Sequence, residues 1–196
     1  MITKVNIYMK KAIIIHCWEG VPDYCWYPWL KGELEAINFE VQVPVMPETN
    51  LPKQKLWVPK IHELVGEPNK NLILIGHSIG CISILRYLES LKENQMIGGA
   101  VLVAGFTDDL GIEEIANYFE TPIDFEKIKS HCPKFVAINS DNDPFVPLKH
   151  ANILKAKLGA EIIIKHNMGH FSGSIEGEES CTDLPDALNA VLKISK

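Results

Sequence analysis

The chain has 196 residues, 46% hydrophobic and 22% charged, with a formal net charge of −6. These totals describe an ordinary globular chain, long enough for one domain with a real core. They argue against a general nucleic-acid or anionic-membrane surface, which needs clustered basic residues, and no apolar run approaches the ~18 residues of a membrane span.

The first apolar run, Ala12-Ile13-Ile14-Ile15 after Lys10-Lys11, has the outline of a signal peptide. It is too short, however, and meets His16 and Glu19 with no small-residue cleavage site. It reads instead as the first core strand of a single domain over residues 1–196, with residues 1–8 as an N-terminal extension. Further strands are predicted near 40–45, 71–76, 100–105, 134–139 and 161–166, the first spanning 11–17. Their near-continuous Ile, Val, Leu and Ala content predicts burial on both faces, as in a parallel sheet covered by helices. Helical spacing marks Ile82-Leu85-Leu88-Leu91, then Leu148-Ala151-Leu154-Leu158 ending at Gly159, then Leu184-Leu188-Val191-Leu192 with Asp183 as N-cap and Pro185 in its first turn. Strands alternating with helices predict an α/β fold: a doubly wound, mostly parallel six-stranded sheet with helices on both faces. Five cysteines, Cys17, Cys25, Cys81, Cys132 and Cys181, are odd in number and form no Cys-x-x-Cys pair. Free thiols in a reducing compartment, the cytoplasm, are expected.

The third strand runs into Gly76-His77-Ser78-Ile79-Gly80 and directly on into a helix. That context holds a serine on a sharp strand-to-helix turn, at the carboxyl edge of the sheet where ligands bind. A serine hydroxyl is a weak nucleophile and needs a base, which in turn needs an orienting group. In this architecture the partners follow in the order serine, acid, histidine, on loops after later strands. Asp143 lies 65 residues beyond Ser78, in Ser140-Asp141-Asn142-Asp143-Pro144, and His170 lies 27 beyond Asp143, in His166-Asn167-Met168-Gly169-His170. Asp141, Asp108 and Asp109 compete for the acid and His166 for the base. Pro144 and Pro147 favour Asp143 by stiffening its loop, and Gly169 favours His170.

An oxyanion hole needs two backbone donors. The N–H of Ile79 is one; the loop after the first strand offers the other, with Trp18 first and Cys17 its alternative. No zinc-protease pattern, phosphate loop or dinucleotide fingerprint is present, so neither a metal nor an organic cofactor is expected.

Taken together, Ala12-Ile13-Ile14-Ile15-His16, Trp26-Tyr27-Pro28-Trp29-Leu30, the turn at Ser78, Val103-Ala104-Gly105-Phe106, Asp141-Asn142-Asp143-Pro144-Phe145-Val146-Pro147 and Gly169-His170-Phe171 resemble one family. It is the small cap-less serine hydrolase family of the α/β-hydrolase superfamily, the retinoblastoma-binding protein 9-like proteins. The resemblance runs over nearly the whole chain from about Lys11. It implies Ser78 as nucleophile, Asp143 as acid and His170 as base, acting on carboxylic esters. Where such proteins often carry His-Gly, this chain has His16-Cys17, a side chain expected to alter the backbone of the oxyanion hole. The Leu-x-Cys-x-Glu motif on which retinoblastoma binding would rest is absent.

The 65 residues between Ser78 and Asp143 leave no room for a cap, so loops should wall the site. Trp18 to Leu30, rich in aromatic residues, is the expected wall, with Cys17, Trp26 and Trp29 as substrate contacts. Trp26 and Trp29 have a second reading, as packing for the helix that follows. The expected partner is a small-molecule ester, with no nucleic acid and no membrane. The alternative is a catalytically weak member of the fold serving as a binding or scaffold module.

Overall fold

Six runs of aliphatic residues form strands: β1 Lys10–Ile15, β2 Phe39–Gln42, β3 Leu72–His77, β4 Gly99–Val103, β5 Phe135–Ser140 and β6 Glu161–Lys165. The computed structural model describes residues 9–173 and 181–196, so the extension expected at 1–8 lies outside the described residues. The strands pair in parallel throughout, in the order β2-β1-β3-β4-β5-β6. Alternate side chains enter two separate cores. Ile13, Leu74, Leu102 and Ala137 face one, and Ile14, Ile75, Val101 and Ile138 face the other.

Helices cover both faces. α1 (Tyr27–Ala36) and α6 (Pro185–Ile194) bury Leu30, Leu34, Ala187 and Val191 on the Ile14 side. α2 (Gln54–Val65), α3 (Ile79–Glu89), α4 (Phe125–His131) and α5 (Lys149–Leu158) bury Trp57, Leu85, Ile128 and Leu154 on the Ile13 side. A short 3-10 segment, Glu113–Tyr118, lies between β4 and α4.

Two details depart from the sequence reading. Continuous burial holds for β3, β4 and β5 but not for β6, where Ile164 is 39% exposed. Among the described residues β6 has no strand beyond it, and α6 packs mainly over β4 and β5. The N-cap of α6 is Leu184 rather than Asp183, and no side chain caps it. Pro185 occupies the first turn and carries no N–H to be capped. α5 does end at Gly159, whose φ of 69° gives the left-handed cap.

The strand order determines where chemistry can happen. From β1 the chain moves out to β2, then returns to the other side of β1 as β3. The carboxyl ends of β1 and β3 are therefore adjacent, with Ile15 opposite Gly76, and the loops leaving them diverge to open a crevice. No helix among the described residues is long and apolar enough to cross a membrane.

The crevice floor is closed by backbone against backbone. A side chain on Gly80 would run into the Ile15 carbonyl oxygen, and one on Gly76 would lie 2.8 Å from the Cys81 Cα. Gly80→Ala should therefore destabilise by about 2–4 kcal/mol, because backbone must move. Gly32, inside α1 with open space around it, is the control. Gly32→Ala should stabilise by about 0.5–1 kcal/mol through helix propensity. Urea unfolding of the two variants checks both signs.

Candidate active site

Ser78 is the single residue between β3 and α3, with φ 54° and ψ −118°. This conformation is costly for a side-chain-bearing residue and persists only where the surroundings over-determine it. Here they do. The Ser78 N–H donates to the Val103 carbonyl (2.9 Å), and its own carbonyl accepts from the Cys81 N–H (2.9 Å). Ser78 is 9% exposed and opens onto a cavity of about 750 Å³.

His170 lines the same cavity. Its Nδ1–H donates to Asp143, at 2.8 Å from Oδ2 and 3.0 Å from Oδ1, which leaves Nε2 as the acceptor of the neutral ring. The pair is buried, with side-chain exposures of 9% for His170 and 1% for Asp143. Asp143 is itself fixed, since Oδ1 accepts from the N–H groups of Phe145 (2.9 Å) and Val146 (3.0 Å). No hydrogen bond joins the Ser78 hydroxyl to His170 among the described residues. Serine–base contacts are often loose until substrate is bound.

The competing acids and base are placed elsewhere. Asp141 pairs with His166 at the surface, with side-chain exposures of 34% and 83%. Asp108 pairs with Lys149 (3.0 Å), and both Asp108 and Asp109 line a different depression. The run Ser140-Asp141-Asn142 instead grips the histidine loop. Asp141 Oδ1 accepts from the Asn167 N–H (3.0 Å), Ser140 Oγ from Met168 (3.0 Å) and Asn142 Oδ1 from Gly169 (2.8 Å).

The loop after β1 is held as firmly. His16 is buried, and its Nε2 accepts from the Met46 N–H (3.2 Å). Its proton is therefore on Nδ1 and is donated to the Cys17 carbonyl (2.8 Å). Gly20 N–H reaches the same oxygen at 3.1 Å. The Cys17 N–H donates to the Tyr27 hydroxyl (3.1 Å) and so is already engaged. In a trans peptide the C=O and N–H point opposite ways. Holding the Cys17 oxygen toward His16 therefore turns the Trp18 N–H to the other side. No described residue accepts from the N–H of Trp18 or Ile79.

The cavity wall differs from expectation. Cys17, Trp18 and Tyr24 line it, but Trp26 and Trp29 do not. Trp26 is fully buried beneath, donating its indole N–H to the Phe171 carbonyl (3.1 Å). Trp29 packs against the core on the α1–α6 face. These two residues seat a helix, the packing role that buried aromatic groups usually have. The apolar lining comes instead from Phe106, Leu110, Ile112 and Ile115, together with Phe145 and Val146. Leu110, Ile112 and Ile115 form a segment the sequence reading passed over. Its signal was an apolar cluster placed just beyond the carboxyl end of β4.

Among the described residues no group of three or more His, Cys, Asp or Glu side chains is arranged to hold a metal ion. All five cysteines are free thiols.

A family model described as "Serine hydrolase" matches residues 12–183. The chain belongs to the serine hydrolase family. Rat (Rattus norvegicus) serine hydrolase RBBP9 is 32% identical over 169 residues, covering 84% of this chain and 88% of the rat protein. The putative hydrolase YdeN of Bacillus subtilis (strain 168) is 30% identical over 177 residues, 90% of this chain and 91% of YdeN. The crystal structure of the ydeN gene product superposes with a TM-score of 0.87 at 28% identity, covering 94% of this chain and 98% of that one. The sheet is thus that of the α/β-hydrolases, and the chain is a small serine hydrolase of that type.

Burial makes three fully buried histidines of this serine hydrolase, His16, His77 and His150, resist protonation. The pKa of His77 falls from 6.5 to about 3, and those of His16 and His150 also fall, with loss of solvation the largest cause in each. The unfolded chain takes up these protons near the ordinary value of 6.5; the native chain does not. Their contribution to stability is therefore complete above that value. It is lost as the pH falls toward about 3 for His77, at up to about 1.4 kcal/mol per pH unit for each histidine. The unfolding midpoint should drop between pH 7.5 and pH 5, limits chosen to bracket the ordinary histidine range of about 6.5. His77→Gln should make the drop shallower. A midpoint flat over that interval would contradict neutral buried imidazoles.

Proposed function

We propose that this chain is a serine esterase or acyl hydrolase acting through an acyl-enzyme. His170 Nε2 takes the Ser78 proton as the hydroxyl oxygen attacks the substrate carbonyl. Asp143 holds the ring in the correct tautomer and stabilises the imidazolium that forms. The negative oxygen of the tetrahedral intermediate is received by the N–H groups of Ile79 and Trp18. The imidazolium protonates the departing alcohol, and water then cleaves the acyl-serine by the same route. The acyl group lies along Phe106, Leu110, Ile112 and Ile115. The substrate is accordingly a small ester with an apolar acyl part, and neither metal nor organic cofactor takes part.

The observation that carries this reading is the buried Asp143–His170 pair, 2.8 Å long, opening onto the cavity that Ser78 lines. Support also comes from membership of the serine hydrolase family.

A fluorophosphonate probe should label the protein at Ser78, and Ser78→Ala should abolish both labelling and turnover of p-nitrophenyl esters. Asp143→Asn should lower kcat by about 10²–10⁴-fold, since the base loses its tautomer and its counter-charge. Asp141→Asn keeps the acceptor for Asn167 and alters only a surface pair, so kcat should stay within about threefold. Equal losses in the two asparagine variants, or turnover that survives Ser78→Ala, would defeat the assignment.

A further inference from the structure

His77 and Tyr27 are fully buried and do not line the cavity beside Ser78. Their polar atoms nevertheless all have partners. His77 Nε2 lies 2.7 Å from the His170 carbonyl oxygen, an atom that only accepts, so the proton is on Nε2. The neutral ring then has a bare lone pair on Nδ1. Tyr27 Oη lies 2.6 Å from that nitrogen and must donate to it. The same oxygen accepts from the Cys17 N–H at 3.1 Å. Every proton in the chain has one position: Cys17 N–H to Tyr27, Tyr27 O–H to His77, His77 Nε2–H to the His170 carbonyl. Burial keeps His77 neutral, with its pKa down at about 3, which preserves this polarity. Trp26 packs on both rings, with centroids 4.7 Å from Tyr27 and 5.7 Å from His77.

The ends of this chain are informative. One is the peptide just before the Trp18 N–H, and the other is the backbone of His170. Between them lies the residue immediately before Ser78. One string of hydrogen bonds therefore ties the loop after β1, the first turn of α1, the end of β3 and the loop after β6.

We propose that Tyr27 and His77 are positioning residues that set the oxyanion loop and the base loop relative to Ser78. The proposal rests on the hydrolase reading above. Engaging the Cys17 N–H leaves Trp18 as the donor on that loop. Fixing the His170 carbonyl fixes the backbone from which its ring reaches Asp143. Without the tyrosine hydroxyl, the Cys17 N–H loses its acceptor and His77 Nδ1 is left with a bare, buried lone pair, so the oxyanion loop is untied while His77 keeps its bond to the His170 carbonyl. A displacement of about 1 Å at a reacting group costs on the order of 100-fold in rate.

The test uses Tyr27→Phe, His77→Leu, His77→Gln and the double variant Tyr27→Phe/His77→Leu, assayed on a p-nitrophenyl ester. Active sites are counted by fluorophosphonate titration, so that misfolded molecules do not enter kcat. Tyr27→Phe should lower kcat about tenfold and His77→Leu about 100-fold, with KM within about twofold in each. The double variant should be no slower than His77→Leu, because both changes cut the same string. His77→Gln, whose amide keeps a donor for the His170 carbonyl, should return to within about fivefold of the parent. Should His77→Leu fail to fold, Tyr27→Phe and His77→Gln decide. Ser78-dependent turnover with an unchanged kcat per site in Tyr27→Phe, or equal losses in the leucine and glutamine variants, would overturn the proposal alone. Turnover in the parent that survives Ser78→Ala would overturn the hydrolase reading and this proposal with it.

Discussion

The constraint on which the rest depends is the turn at Ser78, where a parallel strand becomes a helix within one residue. The φ of 54° at Ser78 is a backbone state costing on the order of 1–3 kcal/mol, and it has to be offset by something rigid. α3 supplies this. Every residue from Ile79 to Leu88 is buried, so the helix runs through the interior rather than over it. Its first turn is pressed against the carbonyls of Ile15 and His16 at the end of β1. The strain is therefore confined between two elements that cannot yield. The same packing that forces the turn also brings the β1 loop next to Ser78. The seating of the helix thus fixes where that loop starts, and the loop's own hydrogen bonds to His16, Tyr27 and Met46 fix its course.

The second structural theme is the contrast between two Asp–His pairs that the sequence places only a few residues apart. Asp141–His166 and Asp143–His170 each show a ring Nδ1 against a carboxylate. Environment separates them. One pair is largely in water, where charge interactions are screened and worth little; the other is buried, where the same contact is stronger and a misplaced partner is costly. The residues between the two acids have their own work. Ser140, Asp141 and Asn142 accept from three successive backbone N–H groups of the opposite loop. This places Asp143, next in the chain, against the ring. A run of Ser-Asp-Asn-Asp that looks redundant as sequence is a register device as structure.

That distinction also explains what was legible beforehand. β3, β4 and β5 were readable because burial on both faces allows only aliphatic residues, and the continuous runs follow. β6 carries similar residues yet is half exposed, because sequence composition does not say which strand lies at the edge. Ser78 was readable because its turn needs glycine at Gly76 and Gly80, which leaves a mark in the sequence. α1 and α2 leave weaker marks. Pro28 opens one and Pro59 interrupts the other, and their buried faces rely on Trp57, Tyr27 and Leu34 rather than a regular aliphatic stripe. Trp26 and Trp29 were open to two readings for a related reason: aromatic residues beside a loop at the sheet edge suit packing and substrate contact equally. Only the direction each ring takes separates the two, and Trp26 turns inward to the Phe171 carbonyl.

Cys17 carries a side chain at the point of the first loop where the resemblance leads to an expectation of glycine. A side chain there was expected to disturb the backbone of the oxyanion hole. The backbone at this point, however, is held from both sides. The Cys17 carbonyl takes two hydrogen bonds and its N–H gives one, and none of these involves the thiol. The presence of a side chain leaves those three backbone bonds in place, so the peptide plane is set by His16, Gly20 and Tyr27. The thiol instead occupies volume, since Cys17 is buried and forms part of the cavity lining beside Ser78. Burial also pushes its pKa up, which keeps it an uncharged, weakly polar group. The Cys17 side chain therefore acts on the shape and polarity of the cavity. The course of the loop backbone is left to the hydrogen bonds beneath it.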